Sequence, residues 1–181
     1  MDYEVMIYTP DELYLYLVDY DQDEPTEKIK EISSRLRYFN MRDIGYNEKN
    51  LFFTVKDNGK IIGIAKVRID GPYSLSHNTF NKWISYISVD KEYYSKGIAT
   101  ALVDAVMYYA AEHKIELLCS GYTLRGWMYL RPMLHRIASQ YGVTIEDPAV
   151  KPEFYCSEGE GWPIDEYNRL WDKFRFQSVA M

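Results

Sequence analysis

The sequence predicts an α/β (or α+β) domain in which helices flank a central mixed β-sheet. Three stretches carry this prediction: a β-branched segment that runs through a glycine turn into a helix (83–112), a hairpin signal (57–59) and a further apolar segment (115–120). A tight hairpin pairs its strands antiparallel, whereas strands joined through a crossover helix pair parallel. We therefore expect both kinds of pairing in one sheet.

Length and composition indicate one globular domain. The chain has 181 residues and is 47% hydrophobic, which suits a single domain over 1–181 with a real core and excludes a disordered chain. The net charge of −6 argues against nucleic acid as a partner and is compatible with a cationic substrate such as an amine. No apolar run approaches the roughly 20 residues of a membrane helix, so no membrane partner is expected.

Cysteine and histidine residues predict no metal site and no disulfide framework. Cys119 and Cys156 form no ligand cluster, and Cys119 lies on a predicted buried strand, where an inert thiol is expected. The N-terminus lacks a signal-peptide pattern, so a reducing cytoplasm is the expected compartment. The three histidines, His77, His113 and His135, share no metal-binding spacing.

The N-terminal part predicts one strand and two helices. The strand is expected at 3–8 and ends at Thr9-Pro10. Helical spacing then places one set of apolar side chains on a short helix and another on a helix from about Thr26. The two sets are Leu13, Tyr16, Leu17 and Tyr20, and then Ile29, Ile32, Leu36 and Phe39. The acidic run between them, 19–25, is either a solvated loop or a surface that meets a cationic amine.

Two strands, 51–56 and 60–69, flank the turn sequence Asp57-Asn58-Gly59. This is a strong hairpin signal, because glycine supplies the positive φ that such turns need. A polar loop over 71–82 follows and leads into the central strand.

The central unit consists of a strand over 83–90, a short polar turn and a helix that Gly97 opens. Ile98, Leu102, Ala105, Val106 and Tyr109 fall on one face of that helix. A turn of this kind directs several backbone N–H groups, together with the positive end of the helix dipole, at one spot that suits phosphate. The spacing fits neither the dinucleotide fingerprint G-x-G-x-x-G nor the nucleotide loop G-x-x-x-x-G-K-[ST].

The segment Tyr94-Ser95-Lys96-Gly97-Ile98-Ala99, preceded by Ile87-Ser88-Val89-Asp90, resembles motif A of the GNAT N-acetyltransferase superfamily, [QR]-x-x-G-x-[GA]. It departs from that motif at its first position, where Tyr94 stands in place of Gln or Arg. The order of a strand, two helices, a hairpin, a strand and a helix also resembles the acyl-CoA N-acyltransferase fold of that superfamily. The alternative is a plain strand–turn–helix unit in which Gly97 is a steric necessity.

The resemblance implies a coenzyme site and an activity. Acetyl-coenzyme A would be the cosubstrate, and the backbone of the loop would hold its pyrophosphate. The implied coenzyme-binding residues are Ile87, Val89, Tyr94, Ser95, Lys96, Gly97, Ile98, Ala99 and Thr100. The Val89 backbone N–H would also stabilise the thioester oxygen as it becomes negative.

After the motif helix, a strand at 115–120 is expected to lie parallel to the central strand. In the superfamily these two strands splay apart, and the pantetheine arm lies between them. The superfamily's leaving-group acid is a tyrosine further along the chain. In the superfamily an Asn starts the next helix, the tyrosine follows about two turns later, and Gly-Phe closes the segment; here Thr123 stands for the Asn and Tyr141-Gly142-Val143 resembles the close. Counting forward from Thr123 comes nearest to Tyr129, whereas counting back from Gly142 reaches Ala138. Tyr129 is the predicted acid, with a packed aromatic as the alternative. Pro132 should start, kink or break a helix here.

The C-terminal part predicts structure more than function. Strands are expected at 143–145 and 154–156, and a helical extension at about 158–181 with Pro163 in its first turn. Its apolar face, formed by Ile164, Tyr167, Leu170, Trp171 and Phe174, would serve a homodimer or another partner, or would cover the chain's own core.

The expected reaction moves an acetyl group from acetyl-coenzyme A to a primary amine of a small molecule or protein. The alternative is a non-catalytic acyl-CoA-binding or protein-interaction module on the same fold. The strand 83–89 carries no carboxylate to deprotonate the amine, and Asp90 at its end is expected on the phosphate side.

Overall fold

The computed structural model describes residues 3–18, 25–39, 44, 49–69, 82–119, 122 and 126–147. The predicted strand at 154–156 and the helical extension at about 158–181 lie outside these residues, as do the acidic run at 19–24 and His77. Within the described part of the chain, no helix is long and apolar enough to cross a membrane.

The strands and helices follow one another along the chain in the predicted order. The elements are β1 (Val5–Tyr8), α1 (Pro10–Leu17), α2 (Pro25–Arg35), β2 (Asn50–Asp57), β3 (Lys60–Arg68), β4 (Trp83–Val89), α3 (Ile98–Glu112), β5 (Leu117–Cys119), α4 (Arg131–Tyr141) and β6 (Ile145–Glu146). A short 3-10 turn, Lys91–Tyr93, precedes α3, and a π-helical turn, Gly126–Leu130, precedes α4.

The six strands form one sheet in the order β1-β2-β3-β4-β5-β6. The pairs from β1 to β4 are antiparallel, whereas β4 with β5 and β5 with β6 are parallel. This confirms the predicted mixed sheet. The β2–β3 hairpin is also as predicted, since Asp57 pairs with Lys60 and the two turn residues, Asn58 and Gly59, have φ of 48° and 78°.

Helices cover both faces of the sheet, so neighbouring residues of β2 and β3 are buried on opposite sides. Phe52 and Phe53, for example, are both fully buried, but Phe52 packs in the cluster with α1 and α2, and Phe53 packs in the cluster with α3 and α4. The predicted inward faces of α1 and α2 are confirmed at Leu13, Leu17 and Ile32. This three-layer arrangement puts the beginning of α3 at the edge where β4 ends.

The buried face of α3 is broader than predicted and is centred elsewhere. Ile98, Leu102 and Val106 are buried as expected, but Ala105 and Tyr109 are only partly buried. Three residues outside the predicted set are fully buried instead, namely Val103, Met107 and Ala110. The helix is apolar around most of its circumference because the sheet and α4 both pack against it.

Three predicted boundaries were wrong by a few residues. Among the described residues, the strand expected at 115–120 forms over Leu117–Cys119, and β6 forms at Ile145–Glu146 rather than 143–145. Strand β1 begins at Val5, two residues later than expected. Pro132 starts a helix, as one of the three predicted outcomes, since it lies in the first turn of α4, where a missing N–H costs no hydrogen bond.

Candidate active site

The distinguishing feature of the loop between β4 and α3 is its backbone conformation. After Asp90 comes the 3-10 turn, and the exposed segment 94–97 then leads into the helix. Ser95 and Gly97 have φ of 62° and 85°, with Lys96 between them. Such alternation turns successive N–H groups toward one concave side, which is a backbone arrangement that binds anions.

The glycine of this loop is required by its backbone conformation and not by close packing. A Cβ atom built on Gly97 would have no neighbouring atom within 4 Å, yet φ is +85°. The requirement for glycine comes from the positive φ alone, which a plain strand–turn–helix unit would share, and not from crowding by neighbouring atoms. Open space beside a left-handed backbone is also what a bound ligand needs.

The first turn of α3 supplies further donors. Ala101 N–H donates to the Gly97 carbonyl at 3.0 Å, which is the first hydrogen bond of the helix. The N–H groups of residues 98–100 precede it and have no intrahelical acceptor. With the positive end of the helix dipole behind them, they favour a negatively charged group in front of the loop.

Strands β4 and β5 diverge next to this loop. Their pairing covers Trp83 and Ile84 and goes no further among the described residues. Asp90 N–H donates to Ile62 of β3 at 2.9 Å. N–H directions alternate along a strand, so the N–H groups of Val89 and Ile87 point away from β3, into the gap between β4 and β5.

Two side-chain anchors that the sequence did not reveal hold the loop. Tyr93 Oη donates to Asp57 Oδ2 at 2.6 Å, which ties the 3-10 turn to the β2–β3 hairpin and raises the pKa of Tyr93. The Lys96 ammonium lies 4.5 Å from the centre of the Tyr93 ring, a cation–π contact that keeps this charge beside the loop.

The second anchor is an ion pair beneath the loop. Arg35 Nη1 donates to Asp90 Oδ2 at 2.8 Å and to the Ile61 carbonyl at 3.1 Å, and Asp90 Oδ1 accepts the Glu92 N–H at 3.2 Å. Burial opposes ionisation of Asp90, but these hydrogen bonds and the charges of Arg35 and Lys60 hold its pKa below the usual range. Asp90, which was expected on the phosphate side, lies at the end of β4, where its carboxylate accepts a hydrogen bond from Arg35 and caps the 3-10 turn.

A glycine of β3 allows the helix to approach the sheet. A Cβ atom on Gly63 would lie 2.5 Å from Ile98 Cγ2 and 3.2 Å from Leu102 Cδ1. Gly63 therefore fixes how closely the first turn of α3, and with it the loop, lies against β3. The sequence offered Gly63 only as part of a strand pattern. The contacts of Arg35 with Asp90 and of Tyr93 with Asp57 gave no signal, because the partners lie 55 and 36 residues apart.

The structure brings Tyr129 to the turn before α4. It belongs to the π-helical turn Gly126–Leu130 and is 68% exposed, so it is not a packed aromatic residue. The other counting reaches Ala138, which is buried and carries no acid. Gly142, with φ of 66°, ends α4 as the closing Tyr-Gly-Val pattern indicated. Thr123 lies outside the described residues.

A second polar cluster, the Asp147 cluster, lies at the carboxyl ends of β5 and β6. Asp147 accepts hydrogen bonds from Tyr122 Oη at 2.7 Å and Arg131 Nε at 2.6 Å, and His135 Nε2 lies 2.9 Å from Asp147 Oδ2. Burial opposes ionisation, but these three partners lower the pKa of Asp147 to about 2. Burial raises the pKa of the nearby Cys119 to about 12, so its thiol stays protonated. Among the residues described, no three His, Cys, Asp or Glu side chains could hold a metal ion together.

Comparison with known proteins extends these observations. The model of the acetyltransferase (GNAT) family matches residues 13–123. No curated protein matches the sequence. Similar solved structures include the aminoglycoside 6'-N-acetyltransferase AAC(6')-Ih of Acinetobacter baumannii, with 18% identity, coverage of 83% of this chain and 96% of that one, and a TM-score of 0.42.

Two further structures are similar at comparable levels. The ribosomal-protein-S18-alanine N-acetyltransferase of Escherichia coli has 16% identity, coverage of 63% and 64%, and a TM-score of 0.40. The glucosamine-6-phosphate N-acetyltransferase of Arabidopsis thaliana has 13% identity, coverage of 83% and 99%, and a TM-score of 0.42. The family match spans more than half of the chain and includes β4, the glycine loop and α3. The chain belongs to the GNAT family of acetyltransferases, whose acyl donor is acetyl-coenzyme A.

Proposed function

We propose that this protein transfers the acetyl group of acetyl-coenzyme A to a primary amine of a small molecule or protein. The observation that carries the proposal is the loop at Ser95 and Gly97, with its convergent N–H groups, next to the gap between β4 and β5. In the reaction the neutral amine attacks the thioester carbonyl carbon, a C–N bond forms, and the C–S bond breaks to release coenzyme A.

The coenzyme is held mainly by backbone donors. The N–H groups from Ser95 to Thr100 bind the pyrophosphate, and Lys96 adds a positive charge nearby. The N–H groups of Ile87 and Val89, which point into the gap, bind the pantetheine arm. The Val89 N–H also stabilises the thioester oxygen when negative charge develops on it. Tyr94, half exposed at the start of the loop, borders the phosphates.

Tyr129 is the proposed leaving-group acid, which protonates the thiolate of coenzyme A. Its exposure next to α4, the helix that packs on α3, supports this role. We expect Tyr129→Phe to lower kcat at least about tenfold, with little change in KM for acetyl-coenzyme A. Tyr108→Phe, which removes the hydroxyl of another exposed tyrosine, is the control. Equal kcat in the two variants would remove Tyr129 from the mechanism.

We propose that no residue of β4 acts as the base that deprotonates the amine. The rate should then follow the fraction of the amine that is neutral at each pH. That strand carries no carboxylate, and Asp90 is paired with Arg35. An alkyl ammonium has a pKa of roughly 10.4, so the neutral fraction grows with pH. We expect kcat/KM for the amine to rise up to about pH 9. A plateau near pH 6 to 7 would reveal a base elsewhere in the chain.

The direct test is release of free thiol from acetyl-coenzyme A, measured with and without a panel of amines and peptides. Amine-dependent release is the expected result, and a cytoplasmic amine is the expected kind of acceptor. Tight coenzyme binding without release for any acceptor would favour the second candidate, a non-catalytic acyl-CoA-binding or protein-interaction module. The replacement of Gln or Arg by Tyr94 is the observation that keeps this candidate open.

A further inference from the structure

A cavity of about 470 Å³ lies on the face of the sheet opposite α3. Its walls come from α1, α2 and the β2–β3 hairpin, and Leu17, Ile32 and Ile61 give it an apolar lining. A volume of this size holds a small organic molecule. The coenzyme-binding groups proposed above have no part in its lining.

The charges around this cavity are mainly positive. Lys28, Arg35 and Lys60 line it, Glu31 is the one acidic residue among the described lining side chains, and Asp90, which is not part of the lining, pairs with Arg35. The protein as a whole carries a net charge of −6, so this local excess of cations runs against its general character. A cavity with cations around an apolar lining favours an anion that has an apolar body.

Contacts within the protein fix one wall before any ligand arrives. Tyr16 Oη donates to the Gly59 carbonyl at 2.6 Å, and the Lys56 ammonium lies 3.4 Å from the centre of the Tyr16 ring. Two contacts with the β2–β3 hairpin, one at Gly59 and one at Lys56, therefore hold the Tyr16 ring in place. A preorganised wall lowers the entropy that binding must overcome.

Arg35 has a donor that the protein does not use fully. Its Nη1 atom serves Asp90 and the Ile61 carbonyl. Its Nε atom is buried and has no hydrogen bond, although Glu31 Oε1 is close enough, at 3.3 Å, for an ion pair. Because Nε is buried, an anion in the cavity would meet the positive charge of the guanidinium and not this donor.

We propose that this cavity binds a small organic anion, in which one carboxylate or phosphate group is attached to an apolar or aromatic body. Arg35, Lys28 and Lys60 bind the anionic group, and the body lies against Tyr16 and the apolar lining. The site is distinct from the coenzyme site, and the proposal does not depend on the proposed acetyl transfer.

The experiment titrates phenyl phosphate and benzoate into the full chain by calorimetry, with coenzyme A present at saturation to block the loop. Binding of one or both anions is expected, and phenol, which lacks the anionic group, is expected not to bind. Lys60→Gln and Lys28→Gln should each weaken binding about threefold to tenfold. Lys30→Gln, which changes an exposed lysine of α2 paired with Glu27, should leave it unchanged.

Three results would overturn the proposal. They are the absence of saturable binding of either anion at concentrations up to about 10 mM, equal affinity in the Lys28, Lys60 and Lys30 variants, and an affinity for the anion that is lower with saturating coenzyme A than in a second titration without it. Coenzyme A binding is measured separately on each sample. Failure of coenzyme binding would contradict the proposed function and leave the cavity to be tested with the anions alone.

Discussion

The loop from Tyr94 to Thr100 and the Asp147 cluster lie at the same edge of the sheet, but they use their polar groups in opposite ways. The loop presents backbone N–H groups that precede the first hydrogen bond of α3. In the cluster, one carboxylate is surrounded by the side chains of Tyr122, Arg131 and His135. The first region leaves backbone donors without intrahelical acceptors, as the proposed coenzyme site requires, whereas the second joins β5, β6 and α4 to each other.

Stability in the two regions also has different sources. The loop has little packing of its own, since its residues 94–97 are exposed, and depends on anchors beneath it at Asp90 and Tyr93. The side chains of the Asp147 cluster hold one another in place through their hydrogen bonds. Changes to the anchors of the loop should therefore reduce both stability and coenzyme binding, whereas changes to the cluster should reduce stability alone.

The largest effect is expected from Arg35→Met. This change leaves Asp90 buried without its cation, and we expect a loss of about 3 kcal/mol in the free energy of unfolding together with weaker coenzyme binding. Urea unfolding and calorimetry measure the two effects, with Lys30→Met on the exposed side of α2 as the control. A loss below about 1 kcal/mol, as for an exposed ion pair, would contradict the anchoring role of Arg35.

A similar or slightly smaller effect is expected from Gly63→Ala. The added methyl group would lie 2.5 Å from Ile98 Cγ2, so the start of α3 must shift. We expect a loss of about 1–3 kcal/mol and weaker coenzyme binding. In a double-mutant cycle, Ile98→Ala should cost much less in the Gly63→Ala background than in the original protein. Strictly additive losses would mean that the contact does not set the position of the helix.

The Asp147 cluster predicts a dependence of stability on pH. The pKa of Asp147 is about 2 in the folded protein and 3.8 as the ordinary value, so its contribution is complete above about pH 5 and is lost as the pH falls toward 2. Between pH 6 and pH 2, the Asp147→Asn variant should lose about 2 kcal/mol less than the original protein.

Asp104→Asn is the control for this measurement, because Asp104 is exposed and accepts a hydrogen bond from Tyr141. It should keep the pH dependence of the original protein. Coenzyme binding at pH 7 should be unchanged in the folded Asp147→Asn variant. Loss of that binding would mean that the two regions are not separate in the way proposed.

The smallest effect is expected from Tyr94→Gln, which restores the residue type of the family motif. Because the loop acts through its backbone, affinity for acetyl-coenzyme A should change by less than about twofold, or roughly 0.4 kcal/mol. A tenfold loss would show that the Tyr94 ring contacts the ligand directly.

The sequence predicted the parts of this molecule that short segments determine. The Asp57-Asn58-Gly59 hairpin, the glycine that opens α3 and the helix end at Gly142 each depend on a backbone conformation that one residue type adopts easily. The same locality allowed the family to be recognised from a few residues around Gly97. The acid at Tyr129 stays a prediction, since the sequence around it does not follow the family spacing.

What the sequence did not predict depends on contacts between distant segments. The pairing of Arg35 with Asp90 joins α2 to the end of β4, and Asp147 meets Tyr122 from 25 residues away. The burial of Val103 and Met107 could not be predicted from the periodicity of α3 alone, because it depends on how α4 packs against that helix. Such pairs leave no periodic pattern in one sequence.

Thermal or chemical unfolding of the full chain with added acetyl-coenzyme A tests whether the backbone of the glycine loop holds the coenzyme. At about one hundred times the dissociation constant, the coenzyme should stabilise the original protein by roughly 2.7 kcal/mol. Gly97→Glu should abolish this stabilisation. Gly142→Glu should keep it, since Gly142 has a similar positive φ and open surroundings but lies at the far end of α4. No stabilisation of the original protein by millimolar acetyl-coenzyme A, or equal loss in both variants, would contradict the claim.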